Sequence, residues 1–139
     1  MNNNKLNQLA VWLALGAGTL DFCTGLGLLV APALMLRLMG MGETFGDMVY
    51  LRFVGAFVWA VGFSYLWALR RWQLTGDATL LRATLEITII FRLAAGGFSA
   101  WAILRGWLVP AWASVPVTDF FLAAAQGWLL SRGALGRQR

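Results

Sequence analysis

Residues 81–104 read LRATLEITIIFRLAAGGFSAWAIL, an apolar run long enough to cross a membrane and interrupted near its centre by Arg92. A hydrocarbon core of roughly 30 Å needs about 20 such residues in one helix. An arginine at that depth costs from roughly 3 to more than about 10 kcal/mol, so intramembrane charges face a bundle interior and mark function. Three further runs, residues 9–31, 48–69 and 111–130, have the same character and carry Asp21, Arg52 and Asp119. The predicted fold is an all-α integral membrane bundle of four transmembrane helices, one domain spanning residues 1–139.

Composition points the same way. The chain of 139 residues is 60% hydrophobic, too apolar to clothe a soluble globule. Cys23 is the single cysteine, which excludes an intrachain disulfide and a thiol pair. No histidine is present, so the usual ligand of membrane haem and of zinc is missing. No cofactor and no metal are expected. The net charge of +5 collects near helix ends, as loop and head-group contacts require, and no nucleic-acid module is visible. Membrane lipid and a lipophilic small molecule are the expected partners, with a homodimer or a larger membrane complex left open.

Glycine and proline mark the breaks. The linker 32–47 holds Pro32, Gly40, Gly42 and Gly46; Thr75, Gly76 and Asp77 form the second turn, with Asp77 or Thr79 capping the next helix. Pro110 marks the third connection. If Ser114 caps the fourth span, Pro116 falls in its first turn and Asp119 lies shallower. Lys5, Arg70, Arg71, Arg82, Arg132, Arg137 and Arg139 fall on one side, against Arg37 and Arg105 on the other. The positive-inside rule then puts both termini in the cytoplasm. Residues 9–20 resemble a signal-peptide core, but only Lys5 precedes them and no convincing small-residue cleavage site follows. The segment is expected to be retained.

At about 1.5 Å per residue, Asp21 lies roughly 18 Å, Arg92 about 15 Å, Asp119 about 17 Å and Arg52 roughly 24 Å from the cytoplasmic edge. Two acids and two bases sum to zero, which allows a compensated network. The pairings stay open: a shallow Asp119 meets Arg52 and leaves Asp21 to Arg92. Ala14, Gly18, Asp21 and Gly25 share a face, as do Arg52, Gly55, Trp59 and Gly62. Thr88, Arg92, Ala95 or Gly96, and Ser99 line up on the third helix, and Val115, Asp119, Leu122 and Gln126 on the fourth. Small-residue stripes also serve ordinary close packing in membranes.

Seven of the eight tryptophans fall at interfacial depths, as an aromatic belt requires. Trp59 alone lies deep, as a pocket wall or cation-π partner of the charged set, or as plain packing. Glu86, four residues after Arg82, reads as an interfacial ion pair. The linker methionines Met35, Met39, Met41 and Met48 form either an interfacial anchor or a lid over the bundle mouth.

A Gly-rich first helix ending in Leu-Leu-Val-Ala-Pro at residues 28–32, then Arg52-Phe-Val-Gly55, then a third helix with Glu86 and Arg92, resembles small bacterial DoxX-like four-helix membrane proteins. That resemblance implies a bacterial inner-membrane location and supplies no established site. The Asp21, Arg92, Asp119 set also resembles, in chemistry alone, that of soluble epoxide hydrolases of the limonene type. One acid protonates an epoxide, alkene or carbonyl, the other orients water, and arginine fixes both. The expected activity is hydrolase or isomerase chemistry on a lipid- or isoprenoid-like substrate. Asp21, Arg92 and Asp119 are the catalytic candidates, and Arg52, Trp59 and Gln126 the substrate-binding ones. A proton-coupled transporter acting as a dimer and an accessory subunit are the alternatives.

Overall fold

A computed structural model describes residues 3–40 and 48–136 and is all-helical over them. Its elements are α1 (Asn3–Val30), α2 (Pro32–Leu38), α3 (Met48–Thr75), α4 (Thr79–Leu104), a 3-10 turn (Pro110–Ala113) and α5 (Ser114–Ser131). Three of them, α1, α3 and α4, are long and apolar enough to cross a membrane. The predicted 41–47 part of the first linker, including Met41, Gly42 and Gly46, lies outside the described residues.

Several boundaries differ from those read in the sequence, each for a local reason. α1 begins at Asn3 rather than residue 9 because its polar start has somewhere to dock: Leu6 is buried, and Asn7 Oδ1 accepts a hydrogen bond from Leu135 N at 2.8 Å. α3 runs past Leu69 to Thr75, since basic residues sustain a helix as well as apolar ones do. It stops at Gly76, whose φ of +70° suits glycine as the residue after a helix. The N-cap of α4 is Ala78, without a side-chain cap, rather than Asp77 or Thr79; Asp77 Oδ1, one residue earlier, accepts from Thr79 N at 2.9 Å and Thr79 Oγ1 at 2.6 Å in a turn that leads into the helix. α5 begins at Ser114, after the 3-10 turn, with Pro116 in its first turn, where a missing N–H leaves no helical bond unmade.

The four long helices form a closed ring. α1 packs along most of its length on α3, and α4 packs on α5, while α3–α4 and α1–α5 meet more sparingly. α1 therefore faces α4, and α3 faces α5, across the diagonals. The 76–78 turn, the start of α1 and the segment after α5 up to residue 136 lie at one end, called here the turn end; α2 and the 3-10 turn lie at the other, the linker end.

Glycine makes the α1–α3 contact. A Cβ added to Gly25 would sit 2.6 Å from Trp59 Cα, and one on Gly62 would sit 2.6 Å from Phe22 Cα. Gly18 and Gly55 are similarly crowded, with distances of 2.7 Å to Tyr65 Cβ and 2.8 Å to Leu28 Cβ. Backbones this close gain dispersion contacts that larger side chains would prevent. The apolar core has two parts: a large one at the turn end around Leu6, Leu69, Leu81, Leu85 and Leu129, and a smaller one at the linker end around Leu28, Leu36 and Leu51. Between them lies a polar layer.

Candidate functional site: an aspartate-arginine-aspartate layer between two helix pairs

α4 supplies the centre of the layer. Thr88 and Arg92, one turn apart, point inward from its buried face, and Arg92 is only 5% exposed. Its Nη1 donates to Asp119 Oδ1 on α5 at 2.8 Å, and its Nη2 donates to Asp21 Oδ2 on α1. One guanidinium thus ties three helices, reaching α1 across the diagonal. Both acids share one arginine, so the alternative pairing of Asp119 with Arg52 does not form, although α5 starts late. The planar fork of arginine suits this task because two nitrogens can serve two carboxylates at once.

The second oxygens of the two carboxylates do not bond to Arg92. The Asp21 and Asp119 side chains remain 14% and 15% exposed. Arg92 Nε is enclosed and has no hydrogen-bond acceptor among the described residues. Fully ionised, the three-residue set carries one more negative than positive charge, and one donor and two carboxylate oxygens are not used in it.

A second polar layer lies on the turn-end side. Gln126 Nε2 on α5 donates to Tyr65 Oη on α3; Tyr65 Oη donates to Thr88 Oγ1 at 2.7 Å; Thr88 Oγ1 donates to the Thr84 carbonyl at 2.7 Å. Tyr65 and Gln126 are completely buried. The Tyr65 ring also lies beneath Arg92, with Cζ 5.9 Å from the ring centroid, within cation-π range. Buried polar groups are costly unless bonded, and each of these is bonded.

Tyr65 is absent from the sequence reading, although a signal exists. It lies three residues after Gly62 on the face that packs against α1, at mid-helix, where a tyrosine hydroxyl must find a partner. Tyr65 and Thr88 together take the place assigned in the sequence to Trp59 and Arg52.

Those two residues lie elsewhere. Arg52 is exposed at the linker end, and its Nη1 donates to the carbonyls of Leu29 at 2.5 Å and Val30 at 3.4 Å. These belong to the last turn of α1, whose carbonyls lack helical donors because Pro32 follows. The neutral four-charge network therefore does not form, and Arg52 acts as a helix cap. Trp59 points away from the polar layer, half-buried in an aromatic row with Phe63, at 5.6 Å between ring centroids, and Phe22, at 5.8 Å. Glu86 pairs with Arg82 at 2.9 Å on the surface.

Among the described residues, no group of three or more histidine, cysteine, aspartate or glutamate side chains could hold a metal ion. No protein-family model, curated protein or solved structure matches this chain.

Proposed function

We propose that this chain is a four-span membrane protein, with both termini on the cytoplasmic side, whose Asp21, Arg92 and Asp119 perform acid/base chemistry on a lipophilic substrate. The observation that carries the proposal is the odd charge of the set. Two carboxylates share one arginine, and an uncompensated charge inside a bilayer is costly. A bound proton balances the set, and that proton is the one a general acid delivers. Arg92 holds one oxygen of each carboxyl, so the second oxygens keep fixed positions for the reaction.

The chemistry balances simply for an oxygenated isoprenoid such as an epoxide. The protonated carboxyl donates its proton to the ring oxygen as the C–O bond breaks. The ionised carboxyl takes a proton from water as the water oxygen bonds to carbon. Which aspartate takes which role is a matter of substrate orientation.

α5 serves as the fourth span in this reading. Its 18 residues extend about 27 Å, and its polar Asp119 and Gln126 face protein, which explains how so modestly apolar a helix tolerates lipid. The basic residues at the turn end favour a cytoplasmic position for that end, in an inner membrane of bacterial type. An accessory role, in which the arginine merely locks the helix pairs, is favoured by the fact that one side chain bridges three helices.

The test is incorporation of heavy oxygen from labelled water into the diol of an isoprenoid epoxide by purified protein in lipid. Asp21→Asn and Asp119→Asn should each abolish incorporation while retaining the wild-type unfolding midpoint. Absence of turnover by wild type, with co-purification of a partner that depends on Arg92, would leave the accessory role in its place.

A further inference from the structure

Two helical rows meet at the α3–α4 seam, and both change character along their length. On α3 the row Tyr65, Val61, Val58, Val54 follows the helical repeat; on α4 the row Thr88, Arg92, Ala95, Ser99 does the same. At the turn end these rows are shut, with Tyr65 0% and Thr88 1% exposed. Toward the linker end Val61 and Val58 are half-buried and Val54 is 47% exposed, while Ala95 is exposed and Ser99 half-buried. The inward rows of α1 (Ala14, Ala17, Asp21, Thr24, Leu28) and α5 (Val115, Asp119, Leu122, Gln126) contain no exposed residue. α3 and α4 therefore splay from their tight turn and leave a tapering groove in the linker-end half. Its walls are Val54, Val58 and Val61 on one side and Ala95 and Ser99 on the other, and Arg92 stands at its closed end.

We propose that this groove is the substrate channel, open sideways to the bilayer, and that it takes a single-chain, uncharged molecule with one oxygen-bearing head. The inference rests on the acid/base reading and specifies its substrate. The walls are apolar apart from Ser99, which suits a hydrocarbon chain. They run for about 10 Å between the levels of Arg92 and Ser99, from the rise of a helix. The closed end selects the head. An alcohol, epoxide or carbonyl oxygen can accept a hydrogen bond from the protonated carboxyl of the layer, and it reaches the enclosed Arg92 Nε only by displacing what covers it. Balanced by its proton, the set carries no net charge, so a carboxylate or phosphate head would bring an uncompensated charge into the bilayer interior. An ammonium would do the same, and it has no lone pair with which to accept a hydrogen bond from the protonated carboxyl.

The test uses wild-type protein in lipid vesicles and farnesol carrying a diazirine at its hydrocarbon end, with labelled positions mapped by peptide mass spectrometry. Labelling should concentrate at Val54, Val58 and Val61 of α3 and at Ala95 and Ser99 of α4 and be displaced by farnesol. Farnesoic acid should compete at least about tenfold more weakly, a difference of 1.4 kcal/mol, and farnesylamine should also fall below the alcohol. Val58→Phe and Ser99→Phe, which narrow the groove from opposite walls, should each reduce labelling at an unchanged unfolding midpoint. The wild-type map stands without them if either variant fails to fold. Undisplaced labelling spread over the lipid-facing residues Phe53, Phe57 and Ile90 would overturn the channel, as would stronger competition by the acid or the amine. Turnover accompanied by displaceable labelling along α1 and α5 would overturn the groove and leave the acid/base reading standing. Groove labelling without turnover would do the reverse.

Discussion

α3 is held to its two neighbours in opposite ways. Against α1 it packs backbone to backbone, with Gly25 and Gly62 so placed that a methyl group on either would strike the opposite chain. Against α4 it closes only near the turn, through Tyr65 and Thr88, and then departs. The first joint leaves no room for a side chain at its glycines. The second is closed by buried polar groups, and the charges lie one helical turn beyond them. The close-packed α1–α3 pair thus holds Asp21 and Tyr65 in place on one side of the polar layer while the other helix pair supplies Arg92 and Asp119.

The harshest way to break the polar joint is Arg92→Met, which strands two acids. It should cost about 3–5 kcal/mol, read as a loss of folded protein in a denaturant titration in mild detergent. The triple change Asp21→Leu, Arg92→Met, Asp119→Leu should restore much of that stability, because apolar replacements of a buried ion set are often neutral or better. It should restore no turnover. That separation sharpens the contrast between an ion set kept for chemistry and one kept for folding.

Gly25→Leu attacks the apolar joint. Overpacking against a backbone that cannot yield should cost about 3 kcal/mol, whereas Gly97→Leu, with open space around its Cα, should leave the unfolding midpoint almost unchanged. Gln126→Leu removes the donor to Tyr65 and should cost about 1–3 kcal/mol, measured in the same titration. The smallest effect belongs to the surface: Arg82→Ala breaks an exposed pair with Glu86 and should shift stability by at most about 0.5 kcal/mol.

The long helices α1, α3 and α4 were legible because length and apolarity set them directly. The meeting of Asp21, Arg92 and Asp119 was legible because charges in lipid must find one another, and helical rise placed them at one depth. Arg52 was misassigned by the same reasoning. An arginine near a helix break has a cheaper partner in the carbonyls before Pro32, and depth alone cannot distinguish that partner from a carboxylate. Of the two readings of Trp59, plain packing fits its aromatic row, because sharing a stripe with Gly55 and Gly62 meant facing α1, not the bundle centre. Tyr65 escaped notice because a tyrosine in a membrane helix reads first as an interfacial aromatic. Ends of helices were the least legible, since Asn7 and Leu135 are brought together only by the fold.

The chain of hydrogen bonds from Gln126 through Tyr65 and Thr88 runs in one direction and ends on the carbonyl of Thr84. A backbone carbonyl can accept a proton's hydrogen bond but has none of its own to pass on. The chain is therefore a protonic dead end, and the leucines beyond it are drier still. Asp21 and Asp119, with side chains 14% and 15% exposed, thus have no proton wire through this chain toward the turn end, and the proposed acid/base role would have to draw its protons from elsewhere.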